Sequence, residues 1–275
     1  MTALERRGRW WRFALVLIVT ALVLVPLAGT LSNALGLPGI HGPAGPAGLA
    51  GPGRSWAAGI RQSFASALQP PSSYWFENSL MLALGAVVVC IVLGAPAGYV
   101  LARGRGRLVS GYALAIFLLQ SFPPVMLIVP LFLMFARVHL IDNLFGLGLV
   151  YLALTLSFAI WMCAAYVDTI PIELEEAAWI DGCSVFGAFF RVVLRNALPA
   201  MLTVAIFTFL TVWNEYMAAL IFLRSINNYT LGVGLQAAGH SPVLAVVMAL
   251  PPVLVFVVLN RYFSLGGVAG SLAGQ

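Results

Sequence analysis

Long apolar stretches separated by short polar segments set the pattern of this chain. Six of them are long enough to cross a bilayer as helix, which takes ~20 residues. They are Phe13–Leu35, Ser79–Ala102, Gly111–Phe135, Phe145–Val167, Leu198–Leu223 and Pro242–Leu259. Several contain proline: Pro96, Pro123, Pro124, Pro130, Pro251 and Pro252. Neighbouring helices in a bundle re-satisfy the backbone groups that proline frees, so these residues kink a span without excluding it. The pattern predicts an all-α integral membrane protein of six transmembrane helices.

Two of the intervening segments are long. The first covers about 36–74. Within it, Gly39–Gly53 reads GIHGPAGPAGLAGPG, with glycine at every third position. The run is too short for a triple helix, and an extended polyproline-like linker is expected. Ser55–Leu68 follows, with Trp56, Ile60, Phe64 and Leu68 at helical spacing, which fits a short helix at the membrane–water boundary. The second long segment covers about 169–197 and reads TIPIELEEAAWIDGCSVFGAFFRVVLRNALPA from Thr169. Pro171 suits a first helical turn, and Glu173, Glu175 and Glu176 follow where acids favour the helix dipole. Gly182 interrupts. Val185, Phe186, Phe189, Val192 and Val193 then form an apolar stripe over Val185–Leu194. The expected unit is helix, glycine turn, helix. An amphipathic connector resting on lipid would have the same outline, but anionic headgroups repel acids such as those of its first half. A knob for a partner to push fits them better.

Composition supports the membrane assignment. The 275 residues are 61% hydrophobic and 8% charged, and the mean hydropathy is +0.99. Soluble domains carry roughly a quarter charged residues. The net charge is +5, and all fourteen basic residues are arginine. Their position beside apolar spans argues for a positive-inside signal and against nucleic-acid binding. With the N-terminus inside, ten arginines fall on inner segments, among them Arg103, Arg105 and Arg107, and four (Arg54, Arg61, Arg137, Arg224) on outer ones. Both termini are therefore expected in the cytoplasm: residues 1–12 as an N-terminal segment, 13–262 as the spanning domain, and 263–275 as a tail. Phe13–Leu35 is longer than the ~7–15-residue apolar core of a signal peptide, so it is expected to remain as the first span.

The segment Glu176-Ala177-Ala178, Asp181-Gly182, an apolar stripe and Pro199 resembles the EAA loop of ABC importer permeases. Further motifs are similar to maltose-type carbohydrate permeases, and most to the second, MalG-like subunit of that group. They are Phe76-Glu77-Asn78-Ser79, Tyr99-Val100-Leu101-Ala102-Arg103, Phe122-Pro123-Pro124 with Pro130, and Trp213-Asn214-Glu215-Tyr216. The resemblance implies a type I importer fold and a coupling helix seated in an ATPase groove. Glu176, Ala177, Ala178, Asp181 and Gly182 would form the coupling surface, Glu176 with a polar contact and Gly182 at the turn. It also implies partners: a second permease, two ATPase copies that bind the ATP and magnesium, and an extracytoplasmic sugar-binding protein. The expected location is the bacterial inner membrane, and alternating access would proceed by rigid-body rocking about a midplane site. Three features depart from the pattern. Arg195 follows Leu194 where the family has proline, so the second short helix is expected to run on toward Pro199. Cys183 replaces a usual alanine, and the first outer loop is unusually rich in glycine and proline.

Ionisable groups inside spans are costly and face the bundle interior or a cavity. Glu215, with Trp213 and Asn214, is a candidate for the translocation cavity or gate; an interhelix hydrogen bond that fixes packing is the equal alternative. Gln120, with Ser121, is a weaker candidate, because polar groups beside a proline kink commonly serve the freed backbone. Trp161, Tyr151 and Tyr166 are expected to pack or anchor. His41, His139 and His240 are scattered, and Cys90, Cys163 and Cys183 show no metal or disulfide spacing. The chain has no G-x-x-x-x-G-K-[ST] loop and no catalytic constellation. It is expected to be neither an enzyme nor a cofactor binder, with its energy supplied by a partner. The rival readings are a secondary transporter or channel, and a glycerol-phosphate-type permease.

Overall fold

The computed structural model describes residues 3–35, 61–62, 64–65, 67–239 and 241–272, with side chains described only between 10 and 258. The described residues form helices and no strands. In chain order these are α1 (Ala3–Ala34), α2 (Ser72–Arg103), α3 (Arg107–Ser121), α4 (Pro124–Arg137) and α5 (Leu144–Val167). Then come α6 (Glu173–Ile180), α7 (Val185–Asn196), α8 (Leu198–Trp213), α9 (Met217–Phe222), α10 (Leu231–Ala237) and α11 (Pro242–Leu272). They fall into two units, Met1–Ser73 with Leu235–Leu250, and Tyr74–Gly234 with Pro251–Gln275. In the first unit, α1 exposes its large apolar side chains from Trp10 to Leu31, and Ala34 at its end is buried. The expected linker Gly39–Gly53, His41, Arg54, Trp56, Ile60 and His240 lie outside the described residues. Residues 61–62, 64–65 and 67 are helical, as the spacing through Phe64 anticipates.

Among the described residues, three helices are long and apolar enough to cross a membrane: α1 from Trp10, α2, and α5. α2 begins at Ser72, seven residues before its expected start, and α11 continues past Leu259. Two expected spans are not single helices. Gly111–Phe135 is split between α3 and α4, which meet at 99°. A residue preceding proline is pushed out of the α region, and Pro123-Pro124 applies this twice. Phe122 sits at ψ 132 and Pro123 at ψ 128, both extended. Leu198–Leu223 is likewise split. α8 stops at Trp213, and α9 starts at Met217.

The second unit is built on α2 and α5, which pack through small residues. A Cβ added at Gly98 would lie 2.6 Å from Cys163 Cβ and 2.8 Å from the Ala164 nitrogen, and one at Gly94 would lie 3.3 Å from Ala159 Cβ. This small-xxx-small seam lets two backbones approach where no hydrophobic effect drives helices together. Cys90, Ala95, Ala102, Val167, Phe189, Val193 and Val204 extend the core from α2 and α5 to α7 and α8. Phe158 of α5 stacks on Phe207 of α8 with ring centroids 3.7 Å apart.

Candidate functional site

The segment from Glu173 to Asn196 forms the expected helix–turn–helix. Gly182 has φ +85, the left-handed conformation that glycine adopts without steric cost. Its N–H donates to the Trp179 carbonyl at 3.0 Å, and that of Cys183 to Ala178 at 2.9 Å. This is the glycine-ended Schellman stop of α6. Two residues on, the Ser184 hydroxyl accepts from the Gly187 N–H at 3.1 Å and caps α7. Two complementary caps thus fold α6 and α7 into a tight knob.

The knob continues toward Pro199, as Arg195 in place of proline led one to expect. α7 reaches Asn196, passing through a π-turn at Phe189–Val193, and meets α8 at 70°. The expected stripe is only partly covered. Phe189 and Val193 are buried, while Val185 and Phe186 are exposed, together with Phe190. The π-turn explains the difference, because its extra residue rotates the earlier positions off the buried face. Phe186 and Phe190, with Val92, Pro96 and Tyr99 of α2, line an apolar cavity of about 450 Å³.

Glu176, Ala177, Asp181 and Gly182 are brought together on the exposed edge of α6 and its turn, and Glu173 is exposed nearby. Ala178 is buried and seats the helix. Glu175 is not part of the exposed acidic face. It is 1% exposed, and its carboxylate is clamped by two side chains one turn apart on α2. Arg103 Nε donates to Oε1 at 2.8 Å and Tyr99 Oη to Oε2 at 2.7 Å. Arg103 Nη2 also donates to the Ile170 carbonyl at 2.7 Å, and the Tyr99 ring lies against Phe189 with centroids 5.0 Å apart. The last turn of α2 therefore grips the knob's entrance and both of its helices. Sequence reading missed this clamp. The available signal was that Glu175 shares the face of Ala178, at i,i+3, while Glu176 lies off it.

Trp213, Asn214 and Glu215 form a second group, at the break between α8 and α9. Trp213 is buried, stacked on Phe209 at 5.5 Å and edge-on to Phe76 at 5.8 Å. The Asn214 amide donates to the Leu210 carbonyl at 2.8 Å. Glu215 is not in mid-helix. Its oxygens accept from the Ala218 N–H at 2.8 Å and the Ala219 N–H at 3.2 Å, starting a new helix. This carboxylate is the physical reason that the expected span breaks, and the fully buried Tyr151 stands beside it. Gln120 is exposed at the other break, two residues before Phe122, and the Ser121 hydroxyl donates to the Phe117 carbonyl at 2.9 Å. The half-helices beyond the two breaks meet: Phe222 of α9 packs edge-on to Phe132 and Phe135 of α4. No hydrogen bond brings Gln120 to Asn214 or Glu215. Trp161 and Tyr166 are half-buried.

A third cluster, also missed, lies at the other end of α2. Trp75 Nε1 donates to the Ile226 carbonyl at 2.6 Å, Asn78 Nδ2 to Asn227 at 2.9 Å and Tyr229 at 3.0 Å, and the Leu231 N–H to Ser79 Oγ at 2.8 Å. Asp142 joins the same loop. Its Oδ1 accepts from the Arg224 and Ser225 N–H groups at 3.0 and 2.9 Å, and the Ser225 hydroxyl donates to Oδ2. Partial burial raises the Asp142 pKa, but these bonds and one from Asn228 outweigh it and hold the carboxyl at about 2.

Comparison with known proteins identifies the class. Residues 94–266 match the family of binding-protein-dependent transport system inner membrane components. The chain belongs to that family and is an ABC importer permease, a membrane protein of the type I permease fold. It is 32% identical to the maltose/maltodextrin transport system permease protein MalG of Photorhabdus laumondii, covering 74% of this chain and 73% of that protein. It is 33% identical to the diacetylchitobiose uptake system permease protein NgcG of Streptomyces coelicolor, covering 72% and 68%. Its fold matches a chain of a bacterial ABC transporter that imports the acidic polysaccharide alginate, with TM-score 0.78, 21% identity, and 96% and 99% coverage.

Proposed function

We propose that this chain is one permease subunit of an ATP-driven sugar importer and that the exposed edge of its knob is the ATPase-docking surface. The observation that carries the proposal is the separation of acids within α6. Glu175 is turned inward as a tie, leaving Glu176, Ala177, Asp181 and Gly182 outward on a rigidly capped turn. Glu176 gains from the dipole of the first turn of α6, and its outward carboxylate, with that of Asp181 on the rigidly capped turn, is presented to a partner. Phe186 and Phe190, exposed on α7, serve a different surface, the bilayer boundary.

In this proposal the knob lies in the cytoplasm, with both chain termini, and the loop around Asp142 and Ser225 faces outward. A second permease completes the path, two ATPase copies supply ATP hydrolysis and hold the magnesium, and an extracytoplasmic binding protein delivers the sugar. The chain performs no catalysis itself. The named relatives support a di- or oligosaccharide as cargo. The paired breaks at Phe122-Pro123 and Asn214–Tyr216, where helices are discontinuous at apolar depth, support a place on the translocation path for Trp213, Asn214, Glu215 and Gln120.

The direct test is Glu176→Lys. Membrane insertion should be normal, sugar uptake should be lost, and recovery of the ATPase with the affinity-tagged chain should drop sharply. Wild-type uptake in this variant would refute the docking assignment. Uphill uptake by the purified chain alone in liposomes would show a secondary transporter instead.

A further inference from the structure

The structure assigns a role to Glu175, Arg103 and Tyr99: they are positioning residues that make the knob and the end of α2 one mechanical body. The inference rests on the docking assignment above and adds the route by which force leaves the knob.

The observations converge on one turn of helix. Arg103 and Glu175 form the one ion pair among the described residues, 18% and 1% exposed at their side chains. They are 72 positions apart in sequence. Both carboxylate oxygens are engaged, each by a different α2 side chain, so the carboxylate cannot swing about a single bond. Arg103 holds Ile170 as well, which fixes where the chain enters the knob. Tyr99 has a double contact: its hydroxyl holds α6 through Glu175, and its ring holds α7 through Phe189. A charge-assisted contact on one carboxylate oxygen with a second donor on the other defines direction as well as proximity. Above the clamp, Gly98 and Gly94 seat α2 directly on α5. Displacement of the knob therefore reaches α2 through three polar contacts and one ring contact, and α2 passes it to α5 through backbone that cannot be compressed.

A buried ion pair is weak evidence for stability in itself, since apolar replacements of both partners are often as stable. The experiment must therefore read movement. Spin labels are placed at Ile180, which is exposed on the knob, and at Val92, which is exposed on α2. The full complex, with its partner permease and ATPase, is measured in nanodiscs without nucleotide and after trapping with ATP and vanadate. In the wild type the interlabel distance should be the same in both states. In Glu175→Gln it should differ between the states by ~2 Å or more, the scale of a helix shift. If Glu175→Gln does not assemble, Tyr99→Phe decides, since it keeps the ring on Phe189 and removes one bond. It should give a smaller difference of the same sign.

A distance that stays constant in the assembled Glu175→Gln variant would overturn the inference, as would one that already changes in the wild type, or one unaffected by Tyr99→Phe where that variant decides. A wild-type chain that recruits no ATPase would overturn the docking assignment, and this inference with it. Recruitment with no effect of either variant would overturn only the inference.

Discussion

At the Arg103 end of α2 a loop is held mainly by side chain against side chain; at the Trp75 end, mainly by side chain against backbone. Glu175 is held by the side chains of Arg103 and Tyr99, one on each carboxylate oxygen. Trp75, Asn78 and Asp142 instead hold mostly carbonyls and N–H groups of residues 224–229, of whose side chains Ser225 and Asn228 are engaged by Asp142. The first arrangement ties geometry to particular residues. The second fixes a loop's path chiefly through its backbone, leaving most of its side chains free to vary.

Four substitutions test this contrast. Arg103→Ala should have the largest effect, because it leaves the buried Glu175 carboxylate without its cation. Removing one partner of a buried pair costs about 3–5 kcal/mol, and the thermal midpoint of the solubilised chain should fall steeply. Gly98→Ala comes next, at about 1–3 kcal/mol, because its new methyl meets backbone of α5 that must move. The loss should appear in the same thermal assay without any change in which loops are ordered.

Asp142→Asn should cost about 1 kcal/mol, through weaker acceptance from four donors. Its pH dependence has a definite sign. The folded pKa is depressed to about 2 from 3.8, so the contribution is present above pH 3.8 and fades as pH falls toward 2. Between those values the wild type should lose its advantage over Asp142→Asn, as read by thermal melts across that range. Ile226→Ala should be the smallest change, within about 0.5 kcal/mol, because the residue serves Trp75 through its carbonyl and its side chain is exposed. A large loss there would break the contrast.

The parts of this fold legible in the sequence are those set by local rules. Gly182 announces the turn of the knob, and the apolar runs of α1, α2 and α5 announce their helices. The exposed edge formed by Glu176, Ala177, Asp181 and Gly182 followed from a motif at fixed spacing. What was not legible depends on one-residue phase or on distant partners. Three glutamates within four positions look alike until the helix is placed, and only then does Glu175 face Arg103. Pro123-Pro124 gave notice of a kink, but whether a pair of prolines bends a span or severs it depends on what the two halves pack against, here Phe132 and Phe135 on Phe222. Glu215 was conspicuous as an acid in an apolar run. That it begins a new helix by capping its own chain needed coordinates.

The π-turn at Phe189–Val193 has a consequence for the length of the knob. A widened turn carries one residue more than the α-helical count, so it works like a spare tooth in a gear. Removing one residue there would restore ordinary winding and leave Val185–Ala188 facing much as they do now, whereas winding the same residues as plain α-helix would rotate them by about 100° relative to Asn196. The turn bearing Asp181 and Gly182 would swing with them, away from the direction in which Tyr99 and Arg103 now hold it. The winding between Ser184 and Pro199 is thus a setting in its own right, as binding as the identity of any residue within it.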